Sequence, residues 1–288
     1  MRKLVILALA FAVPASAQDL ATKVKATEAA PGIYMLEGVD GFSSNIGLMV
    51  GDEHVLLIDN GMAPITAALI AEVKTLSGRS VDFIVNTHGH GDHVGSNATL
   101  AENGAVIFAH DNLRDGLLEN VDYAGGPGGL PVVTFSDEVS FHANGHRAFV
   151  FHVPAAHTDG DSVVYFPDQN VVDASDLFFN GLFPFIDIDS GGSVAGFKAG
   201  QQRMLDMADV GTMIIPGHGP LGNKSDLQSA LDMLIDAEAR VKKLVDAGMT
   251  EEQILEENPL ESYHEDWNWG FITTERMTKT LYRSLTDG

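Results

Sequence analysis

The segment His88-x-His90-x-Asp92-His93 packs four side chains of metal-ligand type into six residues, spaced by Gly89 and Gly91. The apolar, β-branched run Val81–Val85 stands just before it and reads as a short buried strand, so the motif leaves a strand and enters a turn. In an extended or tightly turned loop alternate side chains point the same way. His88 and His90 can therefore share one cation, while Asp92 and His93 are carried round the turn to face a second. The two glycines supply the backbone freedom that such crowding needs. A lone loop histidine is usually solvated or capping a helix, but three with an aspartate at this spacing point to a bound metal.

The chain has no cysteine, so any metal is held by imidazole and carboxylate, and thiolate catalysis is excluded. Its 288 residues are 45% hydrophobic, enough for a sizeable core. With 17 basic and 40 acidic residues the net charge is −23, which repels polyanions and argues against nucleic acid and anionic membrane as partners. The first residues read as an export signal: Arg2 and Lys3, the apolar run Leu4–Val13, then a small-residue cleavage site at Ala15-Ser16-Ala17. Cleavage after Ala17 leaves residues 18–288 at −25, as one domain expected in a bacterial periplasm. The apolar run is too short to span a bilayer, and no later segment is a better candidate.

Residues 18–30 read as a polar lead-in. Strands are expected at Gly32–Gly38, Ser44–Val50, Val55–Asp59 and Val81–Val85, and helices over Pro64–Ser77 and from His93 to Asn103. A strand is expected at Ala105–Ala109, and Tyr123–Pro131, rich in glycine, looks the most flexible. Strand-like runs follow at 132–135, 138–142, 147–153, 162–166 and 170–174. A helix over 194–208 and a strand Thr212–Ile215 lead into Pro216-Gly-His218-Gly-Pro220, and the rest is mostly helical. Strands come first and helices after in each half, a pattern that suits two sheets packed face to face with helices outside.

Taken with Leu57-Ile-Asp59, Ala156-His157-Thr158, Ala174-Ser-Asp176-Leu-Phe and Pro216-Gly-His218-Gly219, the H-x-H-x-D-H motif makes the chain resemble the metallo-β-lactamase superfamily over nearly all of residues 18–288. The resemblance implies an α+β fold, a four-layer αββα sandwich of two mixed sheets with helices outside. It also implies two zinc ions per chain: one on His88, His90 and His157, the other on Asp92, His93 and His218, with Asp176 between them. Asp173 is a rival for that last role. Asp59 could orient a metal-binding histidine or cap a turn. His54, His110, His142, His146, His152 and His264 lack ligand-type neighbours at useful spacing.

Zinc brings the pKa of bound water to about 7. The expected chemistry is attack on a carbonyl by a hydroxide shared between the metals, with Asp92 as the catalytic proton-handling residue. Gly191-Gly-Ser193-Val-Ala195 only half resembles a nucleophile elbow, and Ser193 fits a helix N-cap better. By the resemblance, Ser-type and Cys-type β-lactamases have another residue where Asp176 stands, and the first subclass has a lysine where this chain has Phe179. Aspartate there is similar to the glyoxalase II and lactonase branches. Phe42, Phe179 and Asn180 are taken as substrate-binding; Trp267 and Trp269 are taken as packing anchors. The leading expectation is a hydrolase of small cyclic amides or esters, with β-lactamase activity, ahead of a lactonase or thioesterase. An oxygenase holding a single iron and a metal-binding module without turnover stand further back.

Overall fold

The structure is a computed structural model that describes residues 23–38 and 43–286. The export signal at 1–17 and Phe42 lie outside the described residues.

Seven strands form the first sheet in the order of the chain: β1 (Val24–Ala30), β2 (Ile33–Gly38), β3 (Ile46–Val50), β4 (Val55–Ile58), β5 (Phe83–Val85), β6 (Val106–His110) and β7 (Val133–Phe135). The first four pair antiparallel, and β4 to β7 run parallel. The second sheet holds six strands: β8 (Glu138–Ala143), β9 (His146–His152), β10 (Ser162–Phe166), β11 (Val171–Phe179), β12 (Met213–His218) and β13 (Gly222–Asn223). Only β11 and β12 run parallel there. Both sheets are therefore mixed, as expected.

The strands read as unbroken apolar runs because both faces of each sheet are covered. In β4, Leu56 and Ile58 point inward onto Val150, Phe166 and Val171 of the second sheet. Val55 and Leu57 point outward onto Leu69 and Val73 of helix α1 (Thr66–Ser77). On the far side, Val172, Ala174 and Ile214 pack under Met204 and Leu231, from the later helices at Val194–Met207 and Lys224–Asp246. Each such fully buried Leu, Val or Phe contributes about 1.5–3 kcal/mol against leaving it in water. The result is the αββα sandwich.

Several local expectations need correction. The lead-in contains β1, an edge strand whose half-exposed VKATEAA pattern carries little apolar signal; pairing with β2 makes it a strand. The helix after the histidine motif is two short ones, α2 (Gly91–Val94) and α3 (Asn97–Glu102). Between them Gly95 meets the chain near Pro64 so closely that a Cβ would stand 2.6 Å from the Ala63 nitrogen. Helix α4 (Asp111–Glu119) was not foreseen. The glycine-rich stretch 123–131 is folded into tight turns against α3, with Asn97 Nδ2 donating to the Gly129 carbonyl at 2.8 Å. Gly129 serves close packing there, since a Cβ would stand 1.9 Å from the Ala124 carbonyl oxygen.

Ser193 caps helix α5 (Val194–Met207), accepting from Gly196 N at 3.0 Å, which fits the cap reading. Beyond it run α6 (Lys224–Asp246), α7 (Glu251–Glu257), α8 (His264–Trp267) and α9 (Thr274–Thr286). They share a cluster that includes Phe179, Phe183, Leu234, Ile254, Met277 and Leu281. The last helices are thereby held against the end of β11. No helix among the described residues is long and apolar enough to cross a membrane.

Candidate metal centre

All the motif residues gather at one edge of the sandwich, where β4, β5, β11 and β12 end and β10 begins. Two backbone bonds close the sheets on each other there: Asn45 N to Gly217 O at 2.8 Å, and Ser162 N to Thr87 O at 2.9 Å. The loops bend sharply. Asp59, Ala155 and Ser175 have φ of 60°, 48° and 44°. Such left-handed backbone at residues other than glycine costs of order 1–3 kcal/mol each and collects at functional sites. At Ser175 the register of β11 breaks, and the break turns Asp176 into the cluster. Gly217 has to be glycine, since a Cβ would lie 1.9 Å from Asp176 Oδ1.

His88, His90, His157 and Asp176 each offer a ligand atom within 4.8 Å of the others, and so do Asp92, His93 and His218. The Asp176 carboxylate lies between the two sets. Its Oδ2 is 3.4 Å from His157 Nε2 and 3.8 Å from His88 Nε2. Its Oδ1 is 3.1 Å from His93 Nε2 and 3.6 Å from His218 Nε2. Asp173 instead points between the sheets toward Gly47, and burial and the charge of Asp59 push its carboxyl well above the usual range. Asp59, His88 and His93 also come together. Asp59, however, faces the outer nitrogen of His93, so it orients that ring.

The outer nitrogens are held by fixed partners. His93 Nδ1 donates to Asp59 Oδ2 at 2.7 Å, and Asp59 also accepts from Thr87 N, Thr87 Oγ1 and Ser175 Oγ. His157 Nδ1 donates to the Phe185 carbonyl at 2.7 Å, and His90 Nε2 to Asp187 Oδ2 at 3.0 Å. The inner nitrogens, His157 Nε2 and His90 Nδ1, face each other only 3.0 Å apart. Asp161 ties the loop itself, accepting from His157 N, Thr158 N and Thr158 Oγ1 at 2.6, 2.9 and 2.6 Å. Burial nonetheless pushes the Asp161 carboxyl up to about 8.

This arrangement fits a cation. The buried atoms His88 Nε2, His93 Nε2 and Asp176 Oδ1 have no hydrogen-bond partner, and buried polar atoms are rarely left so. Burial brings His157 down to about 4, so its ring is a neutral donor at ordinary pH. Burial would raise Asp92, but His93 and His218 draw it down to about 2. Burial would lower His93, but Asp176, Asp92 and Asp59 pull it well above the ordinary value. The carboxylates thus converge on His93 as they would on a bound cation. No lysine or arginine among the described residues pairs with these aspartates.

Asp187 was not picked out in the sequence, because nothing in Phe183-Pro-Phe-Ile-Asp187 relates it to a histidine 97 positions away. Outer partners of metal-binding histidines are worth about 10–100-fold in metal affinity. Asp187→Asn is therefore expected to weaken metal binding by about that factor, read by titration against a competing chelator. Unchanged affinity would mean that the stacking of Phe185 on His90, at 5.6 Å and 24°, orients the ring unaided.

Of the substrate-binding residues named from sequence, Phe179 and Asn180 land elsewhere. Phe179 is only 2% exposed and stacks behind His218 at 5.2 Å, so it supports a candidate ligand and offers no surface to a substrate. Asn180 Nδ2 donates to the Pro220 carbonyl at 2.8 Å and shapes the His218 turn. Trp269, expected as a packing anchor, also helps wall the site: it donates to the Phe183 carbonyl, stands 5.7 Å from His218 and lines a cavity of about 580 Å³ with His218 and Leu182. From His90 to His218 an arc of rings, Phe185, Phe271 and Trp269, borders the cluster, with neighbouring centroids 5.3 and 5.6 Å apart.

Residues 39–242 match the family model described as the metallo-beta-lactamase superfamily. A hydroxyacylglutathione hydrolase of Brucella anthropi is 30% identical over 137 residues, 48% of either chain. One of Pelagibacter ubique is 31% identical over 111 residues, 38% of this chain and 41% of that one. The match thus spans less than half the length of both relatives. A type 2 metallo-beta-lactamase of a Bacillus species is 25% identical over 171 residues, 59% of this chain and 64% of that one. Among solved structures, a metallo-beta-lactamase from Pontibacter korlensis shares the fold, with a TM-score of 0.63 at 21% identity, covering 74% of this chain and all of that one.

Proposed function

The chain belongs to the metallo-beta-lactamase superfamily of metal-dependent hydrolases, and from that premise we propose that it is an exported two-zinc hydrolase of small cyclic amides or esters, β-lactams among them. The observation that carries the reading is Asp176, buried and flanked on one oxygen by His88 and His157 and on the other by His93 and His218. In this reading His88, His90 and His157 hold one zinc, Asp92, His93 and His218 hold the second, and Asp176 serves both. When bound, the pair supplies Lewis acidity, acidifying water and polarising a carbonyl.

The remaining work falls to the chain's own groups. Asp59, Asp187 and the Phe185 carbonyl keep His93, His90 and His157 in one tautomer and orientation, so that the inner nitrogens stay available. Asp92 is the most open carboxylate of the cluster, its side chain 30% exposed, and can take a proton at its Oδ atoms from an attacking water and return it to a leaving group. The aromatic arc excludes water from one side and leaves an apolar wall for the substrate. Residues 18–288 would act as one domain in the periplasm on a small-molecule substrate, after loss of the N-terminal signal.

A second reading is a thioesterase or lactonase. Two features favour it: the relatives named hydroxyacylglutathione hydrolase, and the retention of aspartate at 176. The test loads residues 18–288 with zinc, counts metal per chain, and compares penicillin, cephalosporin and carbapenem with lactones and thioesters. About two zincs with β-lactam turnover supports the first reading. Lactones or thioesters turned over orders of magnitude faster than every β-lactam would install the second. One iron per chain would indicate an oxygenase, and metal without turnover of any substrate a binding module.

A further inference from the structure

We propose that Arg276 is the anchor for a carboxylate on the substrate, in a pocket that begins where the metal cluster ends; the assignment rests on the hydrolase reading above and narrows its substrate class. A cavity of about 500 Å³ lies beside the cluster, walled by Phe185, Asp187, Arg276, Lys279 and Arg283. Its three cations face three carboxylates of the same lining, Asp187, Asp189 and Glu251, so what matters is which cation is left without a partner. Two of them are neutralised, Lys279 by Glu275 at 2.5 Å and Arg283 by Asp189 at 2.5 Å. Arg276 makes no ion pair among the described residues.

Arg276 is also held in place. Its Nη1 donates to the Phe271 carbonyl at 3.0 Å, and its guanidinium carbon stands 4.2 Å from the centre of the Phe271 ring and 4.9 Å from that of Phe185. One of five N–H donors is committed, and the planar fork that remains matches a carboxylate in two-point fashion. An arginine fixed by two rings has already lost most of its rotamer freedom, so binding an anion costs less entropy.

Phe185 joins this pocket to the reaction centre. Its ring stacks on His90, its carbonyl holds His157, and Asp187, two residues on, holds His90. A molecule whose carbonyl lies at the histidine cluster reaches Arg276 by passing one aromatic ring. Phe271, 48% exposed, continues that apolar path. The substrate class is then an ester, thioester or lactam with an apolar middle and a carboxylate at the far end. The pocket is thus built between the loop Phe185–Asp189, inside the family match, and helix α9, which lies past residue 242 where that match stops.

The test measures kcat/KM of wild type, Arg276→Gln and Arg276→Lys on a matched pair with an apolar spacer between the reacting carbonyl and the far carboxyl, the mono-4-nitrophenyl ester of suberic acid and its methyl ester, with Tm and metal content recorded for each variant. The expected result is that the preference for the acid over the ester falls about tenfold or more in Arg276→Gln, through KM, and is partly restored by Arg276→Lys. A preference unchanged within about twofold overturns the pocket, since a merely structural arginine lowers both compounds together. A wild type that hydrolyses neither compound overturns the hydrolase reading alone. Arg276 is then read by fluorescence, because both tryptophans of the chain, Trp267 and Trp269, lie in this region. Saturable quenching by the acid in wild type, lost in Arg276→Gln, sustains the pocket, and equal response to acid and ester overturns it.

Discussion

Asp176→Ala is expected to bring metal content from about two ions per chain to one or fewer and to lower kcat/KM by about 10³-fold or more, since metal-ion stabilisation of a transition state is worth several kcal/mol and each 1.36 kcal/mol is tenfold. Both oxygens of this carboxylate face histidines, so its loss affects two groups of ligands at once. It also leaves His93 without its main counter-charge, with Asp92 and Asp59 still nearby. Asp173→Asn is the control. Burial favours the neutral form of that carboxyl, and an amide of the same shape is its nearest uncharged replacement. Elemental analysis and steady-state kinetics decide the matter. An Asp176→Ala protein that keeps two metals and activity within about tenfold would remove Asp176 from the centre of the argument, and metal loss in Asp173→Asn would transfer the role to the rival.

Chelation of the zinc-loaded protein is expected to lower Tm by about 10 °C, reversibly on returning zinc. One cation present at about a thousandfold over its dissociation constant adds about 4 kcal/mol, and in a domain of this size each kcal/mol moves Tm by about 2–4 °C. The physical source is local. Without a cation, His88 Nε2, His93 Nε2 and Asp176 Oδ1 are buried and unpartnered, and the inner nitrogens of His90 and His157 face each other. Differential scanning calorimetry with and without chelator measures the shift. A Tm that does not move would mean that the cluster is satisfied without metal.

The layer order was legible in the chain because strands such as β4 and β11 bury both faces and leave continuous apolar runs, while Leu69 and Val73 repeat at helical spacing. The edge strand β1 was not legible, since half its surface stays in water and its identity comes from pairing with β2. The break between α2 and α3 was hidden for a similar reason: it depends on Gly95 meeting a segment some thirty residues earlier. Phe179 was misplaced because a phenylalanine beside a ligand can face the substrate or the ligand's back, and spacing does not separate the two.

By itself, the sequence determined the ligand chemistry. With no thiolate in the chain, a cluster of imidazole and carboxylate between two glycines leaves few other uses for those residues. It also marked His157, Asp176 and His218 through their motifs. Only the tertiary structure decided which side chains hold those histidines and which surface borders them. Asp59, Asp187, the Phe185 carbonyl and Arg276 act across separations that no local period records. Periodicity reports which face of an element is buried. Contact between distant segments is set by how two twisted sheets and a C-terminal helix pack, and that geometry exists only once the core has formed.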